Sequence, residues 1–435
     1  MKRKFEEKLM SWKEKNNKKP MMVVGVRQIG KTYTIDKFCK ENFSNYIYIN
    51  LEKQENIRNI FEEMLEPEKI IENIKVYLNL SFDEEETVIF FDECQVSERF
   101  IMSLKYFCES DINYKIICAG SLLGVKINRF SSSFPVGKIR IENMFPMDFE
   151  EFLMALNENL LIDKIKKCFK EFSSLDNVLH EKALQLYKQY LCIGGMPEAI
   201  INFIESNRHL SEFDNKILEN IVDMYISDMN KYTYSSYESV KIERVYKNIP
   251  GQLAKENKKF QYSKVESGSD KRKFQSAIEW LISSYLTYQC KSVNKIEIPL
   301  NVYEDENIFK LYLSDIGILT WMSGIRYDDI MFNSSFMYRG VLTENYVAQN
   351  LISNNLMLHY WNNNNKAEID FLIYNKDGII PVEVKSSENN QSKSLKVYID
   401  KYKPKYGIRL STKNFGDENN IKSIPLYAIF CLKDL

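Results

Sequence analysis

Gly25-Val26-Arg27-Gln28-Ile29-Gly30-Lys31-Thr32 follows an apolar run, Met21–Val24, and precedes a helical stretch over Tyr33–Glu41. Two glycines with four residues between them, then Lys and Thr, make the pattern G-x-x-x-x-G-K-[ST], and strand–loop–helix is the context that pattern needs. Loop N–H groups and a helix N-terminus together present the positive ends of peptide dipoles to an anion. In such a loop Lys31 reaches the β- and γ-phosphates of a nucleotide, and Thr32 reaches Mg²⁺. The expected cofactors are therefore ATP and Mg²⁺. Gly25, Arg27, Gln28, Ile29, Gly30, Lys31, Thr32 and Tyr33 are the expected binding residues. A chance match is the alternative, and the strand–loop–helix context argues against it.

Working outward, Thr87-Val-Ile-Phe-Phe91 runs straight into Asp92-Glu93. An apolar strand ending in two carboxylates suits a metal ligand, Asp92, beside a group that deprotonates or orients water, Glu93. Solvated acids at a strand end are the plainer reading. A further apolar run, Tyr114–Ala119, ends at Gly120-Ser121. A hydroxyl at that strand end can reach a γ-phosphate and its attacking water, so Ser121 is a candidate catalytic residue; a turn or helix-cap serine is the alternative. Arg129 and Arg140 are candidates for stabilising transition-state charge, or else ordinary surface residues.

Composition closes off other classes. The chain has 435 residues, with 59 Lys+Arg against 60 Asp+Glu, so overall charge selects no partner. Eight cysteines include no C-x-x-C pair and there are three histidines, which disfavours a structural zinc site and a Ser-His-Asp hydrolase. The cysteines read as small core residues in a reducing compartment. MKRKFEEKLMSWKEKNNKKP at the start has no apolar h-region. No apolar run approaches the roughly 20 residues of a membrane span. A cytoplasmic protein with no membrane partner is expected.

Strands at Met21–Val24, Tyr46–Asn50, Thr87–Phe91, Lys115–Ala119 and Lys138–Ile141 alternate with helical stretches, among them Gln54–Leu80 broken at Glu66-Pro67. That alternation predicts a parallel sheet covered by helices, an α/β fold. From Met147 to about Tyr234 the pattern is helical, interrupted by a tight turn at Ile193-Gly-Gly-Met-Pro197. Helices around Lys241–Glu256 and Lys273–Tyr285, then strands at Cys290–Val302 and Phe309–Leu313, suggest a winged helix. A last unit opens with a helix and continues into strands. The expected division is 1–150, 151–238, 239–325 and 326–435.

GVRQIGKT at 25–32, FFDE at 90–93, AGSLLG at 119–124 and NMFPMDFEEFL at 143–153 resemble the AAA-type ATPases. GGMPEAI at 194–200 resembles the turn that family carries in its helical lid. The order of motifs is similar to that of a prokaryotic group of AAA ATPases with a C-terminal domain like the PD-(D/E)xK nucleases. The resemblance implies a P-loop core at 1–150, a helical lid at 151–238, a winged-helix module at 239–325 and an α/β nuclease-like domain at 326–435. Where the family often carries an arginine after the glycine of an FPVGK-type turn, this chain has Lys138.

The last unit holds a second constellation. Glu368-Ile-Asp370-Phe-Leu-Ile-Tyr374 and Gly378-Ile-Ile-Pro-Val-Glu383-Val-Lys385 read as a hairpin turning at Asn375–Gly378. A loop of 375–378 sets Tyr374 opposite Ile379 and Asp370 opposite Glu383; a turn at Asp-Gly alone sets Asp370 opposite Lys385. In either register Asp370, Glu383 and Lys385 share a face, because the side-chain period is two. Two acids and a lysine there could hold Mg²⁺ and activate water for phosphodiester attack. On a helix over Met337–Leu351, Glu344 falls on the apolar stripe of 337, 341, 348 and 351, where a carboxylate needs a partner: a metal or Lys385. Glu344, Asp370 and Glu383-x-Lys385 resemble the PD-(D/E)xK signature, which implies that Glu344, Asp370 and Glu383 hold metal and that Lys385 orients water. A solvated, charged hairpin face is the alternative.

Lys255, Lys258, Lys259, Lys264, Lys271, Arg272 and Lys273, with Phe260, Tyr262 and Phe274 among them, could meet nucleic-acid phosphates or form a solvated face. The leading reading is an ATP hydrolase whose nucleotide state controls a C-terminal DNA-binding or DNA-cleaving domain. Its rival is a nucleotide-gated switch that binds a partner protein, with an inactive nuclease fold. A homo-oligomer is expected if an arginine enters the site from a neighbouring subunit.

Overall fold

Thr87-Val-Ile-Phe-Phe-Asp has no polar face, which suits a strand covered on both sides, and every residue of this strand is buried. The computed structural model describes residues 1–15, 18–121, 134–233, 235–333, 336–363, 367–386 and 392–435. The chain divides into two compact units, Lys2–Phe145 with Ser283–Tyr285, and Pro146–Ile282 with Leu286–Leu435.

The first unit is a five-stranded parallel sheet. Its strands are β1 (Met21–Val24), β2 (Asn45–Asn50), β3 (Thr87–Asp92), β4 (Lys115–Ala119) and β5 (Arg140–Asn143), in the order β2-β3-β4-β1-β5. All five expected strands form. The order sets β4 between the strand that feeds the glycine loop and the strand that ends in Asp92. Helix α1 (Phe5–Glu14) buries Phe5, Leu9 and Trp12, a helical stripe. Helix α2 (Lys31–Asn42) begins inside the loop. The break expected at Pro67 separates α3 (Glu55–Glu63) from α4 (Pro67–Leu78), with proline at the first helical position, where no N–H is needed. Helix α5 (Glu98–Glu109) is capped by Ser97, whose hydroxyl accepts the Phe100 N–H. Phe61, Phe91 and Phe100 pack edge-on or tilted in this core, with centroids 4.8–5.6 Å apart.

The second unit opens with five helices: α6 (Phe149–Ala155), α7 (Asn159–Glu171), α8 (Asn177–Ile193), α9 (Pro197–Glu205) and α10 (Lys216–Lys231). The Gly194-Gly195 turn between α8 and α9 is a close backbone contact. A Cβ on Gly195 would overlap the Met147 carbonyl, and one on Gly194, at φ 76°, would overlap the Asp315 carboxylate. Asp315 accepts the Gly195 N–H at 2.6 Å. Then come α11 (Ser236–Leu253), α12 (Tyr262–Val265), α13 (Lys271–Ser283), β6 (Thr287–Val293), β7 (Glu304–Leu313), α14 (Ile316–Met322), α15 (Tyr327–Met331) and α16 (Arg339–Ser353). After these come β8 (His359–Asn362), β9 (Glu368–Asn375), β10 (Gly378–Val384), α17 (Lys393–Tyr402), β11 (Gly407–Ser411), β12 (Gly416–Glu418), β13 (Ile421–Pro425) and a tight helical stretch, Leu426–Asp434.

Two expectations change here. The hairpin expected as a wing, β6–β7, is not separate: β6 pairs in parallel with β8, and one eight-stranded sheet runs β12-β13-β11-β10-β9-β8-β6-β7 across residue 325. The strand expected over Cys290–Val302 also ends early, at Val293, ahead of Pro299, which cannot donate to a ladder. The helices expected as a lid share their core with α16, where Tyr346 packs edge-on against Tyr187 and Tyr190 at 4.9 and 5.8 Å.

Candidate active site

The glycine loop closes on itself. Gly30, at φ 83°, caps α2 in the left-handed region, and Gln28 shares that region at φ 65°. A Cβ on Gly25 would overlap the Met144 carbonyl, so only glycine fits that close approach. Ile29 is fully buried and anchors the loop, while Tyr33 stands exposed on the first turn of α2. Lys31 donates to the carbonyls of Gly25 and Val26 at 2.9 and 2.7 Å. Arg3 braces the loop from below, donating to Ile29 O at 2.5 Å and Phe145 O at 2.7 Å. Nothing local in the sequence marks Arg3 for that task.

Thr32 Oγ1 donates to Asp92 Oδ2 at 2.8 Å, and Tyr48 OH donates to the same oxygen at 3.1 Å. A hydroxyl and a carboxylate so close are an oxygen donor pair that suits Mg²⁺. Glu93 sits at φ 53°, uncommon for a residue with a Cβ. The buried Gln95 donates to Glu93 Oε2 at 2.5 Å. Ser121, 2% exposed, accepts from Arg27 Nε at 3.1 Å. Tyr48 and Gln95 escaped the sequence reading because no motif includes them.

Burial pulls the Lys31 ammonium down to about 8, against the opposite pull of Glu93 and Asp92, and the charge of Arg27 adds to the fall. Burial likewise raises the Asp92 carboxyl. Bound phosphates would hold the proton on Lys31. ADP affinity is therefore expected to fall as pH rises above about 8, by up to tenfold per pH unit, the limit for one linked proton. Titration calorimetry at pH 7, 8 and 9 checks this; a flat affinity would mean that Lys31 keeps its proton throughout that range.

Of the arginines considered for the transition state, Arg140 begins β5 opposite Met21, at the end of β1 away from the loop, and pairs with Glu142 at 2.8 Å. It does not complete this site within its own chain. Lys138 pairs with Glu109 at 2.9 Å. Arg129 and residues 122–124 of the AGSLLG run lie outside the described residues.

The second constellation is built differently from expectation. The hairpin register is the first alternative, Tyr374 opposite Ile379, but pairing ends at Phe371–Val382. Asp370 Oδ2 itself accepts the Val384 N–H at 2.7 Å. On the other side β9 bulges. His359 faces Leu372 and Trp361 faces Ile369, so Asp370 and Phe371 together oppose Tyr360. Glu383, 2% exposed, pairs with Lys385 at 3.1 Å, and its second oxygen has no hydrogen-bond partner among the described residues.

Glu344 points inward on α16, as its position on the helix requires, although the helix starts at Arg339 and Met337 is exposed. Its partners are not metal ligands. Lys310, fully buried, reaches Oε1 at 3.0 Å, Tyr312 OH donates to the same oxygen at 2.5 Å, and Lys258 reaches Oε2. Lys310 also meets Glu368 at 2.6 Å. Among the described residues no group of three or more His, Cys, Asp or Glu side chains could hold a metal ion. A metal on Glu344, Asp370 and Glu383 was expected; among the described residues two ammonium groups instead take up the charge of Glu344.

Burial alone would raise Glu344, but Lys258 and Lys310 hold it down to about 2. Asp370 goes the other way, pushed up to about 7 by burial and by the charge of Glu344. Its folded value lies above its ordinary 3.8, so the folded chain binds the extra proton and loses that stabilisation as pH rises toward 7. Asp370→Asn, which keeps the acceptor for Val384, is expected to be more stable than wild type at pH 8 and no more stable at pH 4. Urea midpoints at both pH values decide it; equal gaps would place Asp370 outside the cluster's field.

The basic stretch is partly spent. Lys258 is committed to Glu344, Lys273 bridges to Glu266, and Lys271 donates to Asn307 at 3.0 Å. Lys255 and Lys264 are close enough that, after burial, the charge of Lys264 lowers Lys255. No helix among the described residues is long and apolar enough to cross a membrane.

Residues 17–153 match the family model of the AAA domain. Residues 184–329 and 339–429 match two domains of unknown function, DUF8612 and DUF4143. A relative, the uncharacterized protein MJ1544 of Methanocaldococcus jannaschii, is 24% identical over 399 residues, covering 87% of this chain and 77% of the relative. Among solved structures, the Walker-type ATPase PABY2304 of Pyrococcus abyssi is 15% identical with a TM-score of 0.45, covering 74% of this chain and 95% of that one. The ORC2 protein of Aeropyrum pernix, solved with ADPNP and ADP, is 12% identical with a TM-score of 0.37, covering 78% and 91%. The first part of the chain is thus AAA-like in sequence, and its sheet is parallel.

Proposed function

We propose that this chain hydrolyses ATP. The observation that carries the reading is the contact of Thr32 with Asp92 at 2.8 Å, beside Lys31 and Glu93 at the end of a parallel sheet. Loop N–H groups and Lys31 bind the β- and γ-phosphates. Thr32 and Asp92 hold Mg²⁺, which when bound bridges phosphate oxygens and offsets their charge. Glu93 takes a proton from water, and Ser121 orients that water. The second unit is then the part that nucleotide state acts on. Of the two readings of it, a binding module with an inactive nuclease fold is favoured over a metal-dependent nuclease, because Lys258 and Lys310 fill the carboxylate cluster. DNA and a partner protein both remain as ligands for that module.

The test is phosphate release with Mg²⁺, with and without duplex DNA, beside a Lys31→Ala control and a Mn²⁺ nuclease assay. Mg²⁺-dependent release without cleavage supports the reading. Stimulation by DNA selects nucleic acid over protein as the partner. Release equal in the Lys31→Ala control, or cleavage lost in Asp370→Ala, goes against it.

A further inference from the structure

We infer that Arg27 supplies, within its own chain, the guanidinium that neutralises the γ-phosphate as it passes to water. The inference rests on the reading of the first unit as an ATPase and names a catalytic group for it.

Arg27 is the third residue of the phosphate-binding loop, so its backbone lies where the loop wraps the nucleotide. Its side chain is not left to solvent. Nε donates to Ser121 Oγ at 3.1 Å, and Ser121 is 2% exposed just beyond β4. Because β4 lies between β1 and β3, that bond ties the side chain to the end of β4, between the strand that feeds the loop and the strand that ends in Asp92.

Elimination supports the same residue. This unit has six arginines, at 3, 27, 58, 99, 129 and 140, and 129 is outside the described residues. Arg3 is committed to two carbonyls beneath the loop. Arg58 pairs with Glu55, Arg99 donates to Phe61 O at 3.1 Å, and Arg140 is at the far end of the sheet. Arg27 alone among the five described is in the loop itself.

In the step, the water oxygen bonds to the γ-phosphorus and the bond to the β–γ bridging oxygen breaks. The proton of water goes to Glu93, and the bond's electron pair leaves on ADP. Arg27 offsets charge on the γ-phosphoryl oxygens. A guanidinium in this role raises turnover by roughly 10³–10⁵.

The experiment compares wild type, Arg27→Ala and Arg27→Lys in three measurements: affinity for a fluorescent ADP, single-turnover hydrolysis, and trapping of ADP with aluminium fluoride. Arg27→Ala is expected to bind ADP within about threefold of wild type, to lose at least about 10²-fold in rate, and to fail to trap the fluoride complex. Arg27→Lys should fall between, since it keeps charge but not the planar fork. An equal loss in ADP affinity and rate would make Arg27 a ground-state ligand and overturn the role. So would wild-type trapping by Arg27→Ala. Mixing Arg27→Ala with Lys31→Ala, which still carries Arg27, should restore nothing; recovery would show supply from a neighbouring chain. If wild type traps the complex but does not turn over, the ATPase reading fails while the role of Arg27 stands or falls on trapping.

Discussion

Glu93→Gln is expected to bind ATP about as tightly as wild type and to hydrolyse it about 10²–10⁴ times more slowly, the usual scale for a general base. The geometry separates the two effects. Binding depends on loop N–H groups, Lys31 and the Thr32–Asp92 pair. Glu93 stands beside them, on a residue held at φ 53° and tied by the Gln95 amide. A glutamine keeps the size and an acceptor for Gln95 but cannot take a proton. Single-turnover hydrolysis and nucleotide affinity, measured on the same preparation, check the split. A rate within threefold of wild type would remove Glu93 from the proton transfer. A matching loss of affinity would mean that the substitution had disturbed Asp92 instead.

The first unit was largely legible because its signals are local. Apolar runs, the loop motif and Pro67 each act over a few residues, and all five strands form near their expected bounds. The second unit was less legible because its decisive contacts are remote. Glu344 on an apolar stripe announces that a partner exists, yet the partners Lys258 and Lys310 lie 86 and 34 residues away. No spacing rule connects them. The β9 bulge is a second case. Alternation predicts one face for Asp370 and Glu383, but it cannot foretell the extra residue at Asp370-Phe371 or that pairing with β10 stops at Phe371. The pairing of the hairpin expected as a wing is hidden for a related reason. Cys290–Val293 reads as a strand, but only the fold supplies β8 as its parallel neighbour.

The other large effect is on stability. Lys310→Met is expected to destabilise the second unit by about 3–5 kcal/mol, the range for removing one partner of a buried ion pair. Lys310 is fully buried and answers two carboxylates, Glu344 at 3.0 Å and Glu368 at 2.6 Å. Methionine fills the volume but leaves Glu344 with Lys258 and Tyr312 only. Lys258→Met should cost less, because that side chain is 22% exposed and water can replace part of what it gives. A chain of two units need not unfold in one step, so guanidinium denaturation should be run with and without ADP. The transition that ADP does not shift belongs to the unit without the loop. Adding Glu344→Gln to Lys310→Met should recover part of the loss, since the unanswered charge is then gone. If Lys310→Met instead stays within about 1 kcal/mol of wild type, in the range of exposed pairs, the lysine is not what neutralises Glu344. Lys258 and Tyr312 would then be what answers Glu344.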